Sequence, residues 1–187
     1  MKSLKRMLAV GLVLFCGQAA WGQKTVHNSF PDMPRDTNTN LVSYRGVVNQ
    51  SGSSEVLYER AVKWANKFFP NPTVTIQKAD KINGVVVCLP STKITTLATD
   101  GKTAVMAGMV YYTLTIEARE NRYRYTITDI HKREQSQYPI EKWFDTAKPE
   151  WKPAFYDHLH QIDQAIRKLI ADLEEGMKPE KVIIDEW

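Results

Sequence analysis

The chain has 187 residues, enough for one domain with a substantial core after any leader is removed. Its 25 Lys+Arg against 21 Asp+Glu give a formal charge of +4, but three of those cations, Lys2, Lys5 and Arg6, lie in the first 22 residues, which hold no acid. The remainder carries 22 cations and 21 acids, a net charge of +1, and lacks the basic footprint of a nucleic-acid-binding protein.

Residues 1–22 read as a signal peptide. A basic start is followed by the apolar run Met7 to Phe15, and Ala20-Trp21-Gly22 puts small residues at the two cleavage-determining positions, so cleavage is expected before Gln23. The run is too short to span a bilayer, which needs about 20 residues, and no transmembrane segment is expected in the mature chain. Lipid anchoring at Cys16 is disfavoured by the bulky Phe15 just before it. The expected location is therefore secreted or periplasmic. Cys88 is the one cysteine left, so no internal disulfide forms. Its setting, Val85-Val86-Val87-Cys88-Leu89, is that of a buried thiol.

Residues 23–40 are polar, broken by Pro31 and Pro34, and read as a flexible arm. The domain proper is expected over residues 41–178, with a tail at 179–187. Leu41 to Val48 is a first strand with Val42, Tyr44 and Val48 on one side, and Gly46 marks a bulge. A helix opens at Ser53 or Ser54, whose hydroxyl can cap the first turn, with Glu55 at the positive end of the dipole. Leu57, Ala61, Trp64, Ala65 and Phe68 form its apolar stripe, and Pro70 and Pro72 stop it. Thr73 to Ile76 and Val85 to Leu89 are the next strands, separated by the Asn83-Gly84 turn. Pro90 to Met106 is expected as a mobile connection, although Lys93 to Leu97 is β-prone.

Gly108 to Glu134 is the stretch around which the rest is organised. Alternation runs through both halves, and Glu120-Asn121 breaks them, which predicts a hairpin. That turn pairs Ala118 with Tyr123, Ile116 with Tyr125 and Leu114 with Ile127 on one side. On the other it pairs Glu117 with Arg124, Thr115 with Thr126 and Thr113 with Thr128. A one-residue slip would wet the apolar set, so the register is specified.

Tyr138, Trp143, Phe144, Trp151, Phe155 and Tyr156 then lie among prolines and charges, where aromatics either pin an irregular segment to a core edge or line a groove. A last helix begins near Pro153 with the stripe Phe155, Leu159, Ile162, Ile166, Leu169 and Leu173, and Gly176 stops it. The tail carries Val182-Ile183-Ile184 and ends Asp185-Glu186-Trp187.

The expected class is α+β, in the order β-α-β-β-β-β-α: an antiparallel sheet with two helices packed on one face. The opposite face then displays Thr113, Thr115, Glu117, Arg124, Thr126 and Thr128. Glu55 to Ala61 with Trp64, Asp80 to Val87, Tyr112 to Ile116 and Arg122 to Thr128 resemble the secreted bacterial domain-of-unknown-function 4468 family, whose fold is like that of the TATA-binding protein. The resemblance runs from Leu41 to His131 and departs at Pro90 to Met106. It implies that fold and an envelope location, and it brings no catalytic residue.

No motif for a cofactor or metal stands out. Asp129 and His131 share a strand face, with Tyr112 opposite Asp129, in the arrangement of a carboxylate orienting a general base. No nucleophile accompanies them. His158 and His160 are two apart on a helix and point to different faces, and His27 is in the arm. The function expected is an exported, non-catalytic binding or accessory module of the cell envelope. Its partner is an envelope protein, peptide or glycan rather than nucleic acid. The candidate contact residues are Thr113, Thr115, Arg124, Thr126 and Thr128 on the sheet, or Trp143 and Trp151 in the aromatic segment. The alternative is a small envelope hydrolase using Asp129 and His131.

Overall fold

The computed structural model describes residues 27–134 and 136–179. The expected leader, its cleavage site, Cys16 and the tail from residue 180 lie outside the described residues. Within them the elements are β1 (Tyr44–Asn49), α1 (Ser54–Phe68), the one-turn helix α2 (Pro72–Thr75), β2 (Ile76–Asp80), β3 (Val85–Cys88), β4 (Ser91–Leu97), β5 (Ala104–Arg119), β6 (Arg122–Arg133) and β7 (Gln137–Pro139), then a 3-10 helix (Ile140–Phe144) and α3 (Ala154–Gly176).

The long β5–β6 hairpin is the spine. Its six expected pairs form as the alternation dictates, from Ala118 with Tyr123 to Thr113 with Thr128. Both strands outrun their neighbours, so two shorter strands share each edge. β5 pairs β3 over residues 114–117 and β4 over residues 104–111. β6 pairs β1 over residues 122–127 and β7 over residues 131–133. All of these ladders are antiparallel.

Leu114, Ile116, Ala118, Tyr123 and Ile127 are buried beneath α1 and α3, which lie on one face of the sheet. Ser53 caps α1 by accepting from the Val56 N–H. Leu57, Ala61, Trp64 and Ala65 are buried along α1, as are Leu159, Ile162, Ile166, Leu169 and Leu173 along α3. The fold is therefore an α+β antiparallel sheet with two long helices on one face.

Four expectations change. Thr73 to Ile76 begins as a helical turn, because Asn71 O accepts from the Val74 and Thr75 N–H groups and Pro72 suits a helix start; the strand opens only at Ile76. Pro90 to Met106 is an ordered hairpin in which Asp100 Oδ1 accepts from the N–H groups of Lys102 and Thr103, and Ile94 is fully buried. Gly46 makes no bulge. It pairs squarely with Tyr125, whose ring occupies the space that a side chain at position 46 would need.

Residues 27–40 are not loose either. Met33 is buried, Phe30 packs on Phe144 and Tyr156, Arg35 bridges to Val42, and Arg167 donates to Asp32 O. Two short apolar anchors suffice to fix a segment whose composition is otherwise polar.

Candidate functional site

Three places hold the residues singled out in the sequence: the bare face of the sheet, the bulge in β6, and the aromatic segment between β7 and α3.

The bare face is the side of β5 and β6 turned away from the helices. Period-two alternation brings Thr113, Thr115, Thr126 and Thr128 together there in directly opposed pairs, all half-exposed. At their end Arg124 donates to Glu117 Oε2 from Nε at 2.7 Å and Nη2 at 2.6 Å, a two-pronged clamp that fixes both side chains. β1 and β3 extend the rows, setting Arg45 beside Thr126, Val47 beside Arg124 and Val87 beside Thr115. The result is a flat polar surface, hydroxyl-rich in the middle and charged toward the hairpin tip.

The bulge changes the reading of Asp129 and His131. Asp129 adopts a left-handed conformation, φ 55°, and the register shifts there, so that Tyr112 is not paired with Asp129 and the next pair after Thr113 with Thr128 is Tyr111 with His131. The His131 ring is 2% exposed, and its Nδ1 donates to the Asp129 backbone carbonyl at 2.8 Å, with Asp129 Oδ1 farther off at 3.5 Å. The Asp129 carboxylate itself is largely exposed. Nε2 is buried without a hydrogen bond. The ring stacks on Tyr111, which in turn carries the Arg133 guanidinium 4.4 Å from its centroid. A carboxylate orienting a solvent-accessible base is thus not what the strand end holds. Cys88, the one free cysteine among the described residues, lies on the helix side of the sheet, and burial pushes its thiol up to about 12.

In the aromatic segment Trp143 and Trp151 play unequal parts. Trp143 is 1% exposed, and its ring stacks on Phe155 at 4.9 Å and 10°. It is core, so it offers no face for a sugar to stack upon. Trp151 is half-buried and holds the segment closed, its indole N–H donating to the Trp143 carbonyl at 2.9 Å. The Trp143 ring face is therefore taken up by packing, and the Trp151 indole N–H by the backbone of its own segment. The fold around them nevertheless leaves a cavity of about 420 Å³ between the sheet end and the first turn of α3, partly walled by Trp143 and Phe155.

The histidines diverge as their spacing implies. His158 is buried against Trp143 and Phe155, whereas His160 stacks on His27 at 3.6 Å and bonds to the Ser29 carbonyl. Among the described residues no group of three or more His, Cys, Asp or Glu side chains is placed to hold a metal ion, and no helix is long and apolar enough to cross a membrane.

A link that the sequence did not reveal joins β1 to α3. The Tyr44 hydroxyl donates to Asp163 Oδ1 at 2.6 Å, and Arg167 clamps both oxygens of the same carboxylate. Burial and then this carboxylate hold the Tyr44 phenol far above its ordinary range.

Two solved structures share this architecture. A DUF4468 family protein from Bacteroides ovatus is 14% identical, with a TM-score of 0.62 over 80% of this chain and 92% of its own. A TBP-like protein from Parabacteroides distasonis is 17% identical, with a TM-score of 0.53 over 73% of this chain and 92% of its own. At these identities the likeness is one of fold. No curated protein matches the chain. The family described as "Domain of unknown function (DUF4468) with TBP-like fold" matches residues 44–133, from the first residue of β1 to the last of β6, and over that segment the chain is similar to it.

Proposed function

We propose that this protein is an exported, non-catalytic binding module of the bacterial cell envelope that meets its partner on the bare face of the sheet. The observation that carries the reading is the pairing of Thr113 with Thr128 and Thr115 with Thr126 beside the fixed Arg124–Glu117 clamp. No described helix covers these rows. Hydroxyls in regular rows on a rigid sheet both donate and accept hydrogen bonds, which suits a glycan or an extended peptide. The envelope location rests on the sequence pattern of residues 1–22.

The face supports this reading better than it supports binding to nucleic acid. A minor-groove partner needs cations and apolar wedges, whereas the central rows are threonines and Arg124 is neutralised by Glu117. A fold shared with a DNA-binding protein does not transfer the activity. The hydrolase alternative has less behind it, because the proton on His131 Nδ1 is committed to a backbone carbonyl.

Two measurements test the proposal. The chain fused to its own first 22 residues is expressed in a Gram-negative host, and fractionation is expected to yield a product beginning at Gln23 outside the cytoplasm; an uncleaved cytoplasmic product refutes export. Glycan and peptide arrays are then probed with that product and with the double variant Thr115→Asp, Thr126→Asp. A binder lost in the variant at unchanged melting temperature supports the face as the contact, and a binder retained in full places the contact elsewhere.

A further inference from the structure

The cavity at the far end of the molecule is separate from the sheet face, and its charges point to a different kind of ligand. Its volume of about 420 Å³ falls in the range of small-molecule sites, roughly 300–1,000 Å³. Phe155, Ala107, Ala154 and the edge of Trp143 give it an apolar wall, while Lys132, Glu134, Tyr138, Glu150 and Lys152 bring polar groups to it. Two of the four charges cancel, since Lys132 Nζ lies 2.7 Å from Glu134 Oε1. Glu150 accepts only a long hydrogen bond, 3.4 Å, from the Tyr138 hydroxyl and makes no ion pair with any described residue. Lys142, the nearby cation that does not line the cavity, is drawn over the Tyr138 ring, 4.8 Å from its centroid. Lys152 makes no ion pair with any described residue. One carboxylate and one ammonium are therefore left over at a single apolar cavity, both on the short loop that leads into α3.

We propose that this cavity binds a small zwitterion with an apolar side chain: a free α-amino acid such as phenylalanine or leucine. The side chain packs against Phe155 and the edge of Trp143, the ligand carboxylate meets Lys152, and the ligand ammonium meets Glu150. Tyr138 bonds to Glu150 and lies beside it, so a ligand seated against the apolar wall displaces water from around both charge pairs and strengthens them. Size follows from the two alanines: Ala107 and Ala154 leave room that any larger residue would fill.

Titration calorimetry with three probes tests the assignment on the full mature chain. Phenylalanine carries both charges, N-acetylphenylalanine only the carboxylate, and phenylalaninamide only the ammonium. The expected result is that phenylalanine binds and that each single-charge analogue binds about tenfold or more weakly, as the loss of one charge-assisted bond implies. Lys152→Gln is expected to weaken phenylalanine by a similar factor and leave phenylalaninamide unchanged; Glu150→Gln is expected to do the reverse with N-acetylphenylalanine. Both positions are exposed, so neither variant threatens the fold. Equal affinity of the three probes, or no binding of phenylalanine at millimolar concentration, overturns the proposal. The sheet-face double variant serves as a control, since it is expected to bind phenylalanine as the parent does whether or not the sheet face has a partner of its own.

Discussion

Gly176, the last residue of α3, lies against the indole of Trp64 so closely that a Cβ built there would sit 2.3 Å from Trp64 Cδ1. The indole has nowhere to retreat: it is 5% exposed, stacks on Phe68, and donates from Nε1 to Asp172 one turn back along α3. The glycine expected to stop the helix thus also permits the close crossing of α1 and α3. Gly176→Ala gains helix propensity, roughly 1 kcal/mol. It also forces the helices apart, at about 1–3 kcal/mol for overpacking. Net destabilisation is expected in urea unfolding, and a variant more stable than the parent contradicts this packing.

The two tryptophans of the aromatic segment should behave differently. Trp143→Ala removes a fully buried ring and is expected to destabilise by about 3–5 kcal/mol. Trp151→Phe keeps the ring and loses one hydrogen bond, roughly 1 kcal/mol. Chemical denaturation of both variants checks the order; equal effects would mean that Trp143 is not core.

Alkaline stability should fall in a defined window. Burial holds the Cys88 thiol and the Tyr112 phenol up at about 12 each, and Tyr44 is raised further. In the unfolded chain a thiol ionises near about 8.5 and a phenol near about 10. The unfolded state therefore loses its protons first, so stability is complete below about pH 8.5 and is lost progressively as the pH rises toward 12. Cys88→Ala is expected to move the onset up to the phenol range, near about pH 10. Urea midpoints measured from neutral pH upward test this, and a flat profile would refute it.

At the acid end the relevant group is Asp80. Hydrogen bonds from the Asn83 side chain first, then from Lys78 and the Asn83 backbone, lower its carboxyl to about 2. A depressed value stabilises the fold above the ordinary carboxylate range, near about 3.9, and that contribution is lost as the pH falls toward 2. Asp80→Asn should remove this part of the acid transition and loosen the turn that ends at Gly84. An unchanged acid profile in the variant would show that the turn makes no such contribution.

Much of this architecture is written in local sequence. Alternation and the Glu120-Asn121 break fix the β5–β6 register because any slip wets Leu114, Ile116 and Ile127. Ser53 and the 3.6-residue stripes of α1 and α3 likewise follow from short-range chemistry. The polar bare face was legible for the same reason, as the other half of a period-two pattern.

What only the tertiary structure decided depends on partners distant in the chain. Lys93 to Leu97 becomes a strand because β5 runs on past β3 and offers a free edge. Residues 27–40 are held because Phe30 and Met33 find apolar neighbours. The bulge at Asp129 takes His131 out of the expected arrangement with its carboxylate, a one-residue register shift that alternation cannot encode. Trp143 is buried because α3 returns Phe155 onto its ring, and the cavity beside them exists only where the ends of β4, β5, β6 and β7 meet the 3-10 helix and the start of α3. Periodicity specifies which face of an element is apolar; it does not specify which element arrives to cover it, because that is settled by the summed burial of the whole chain.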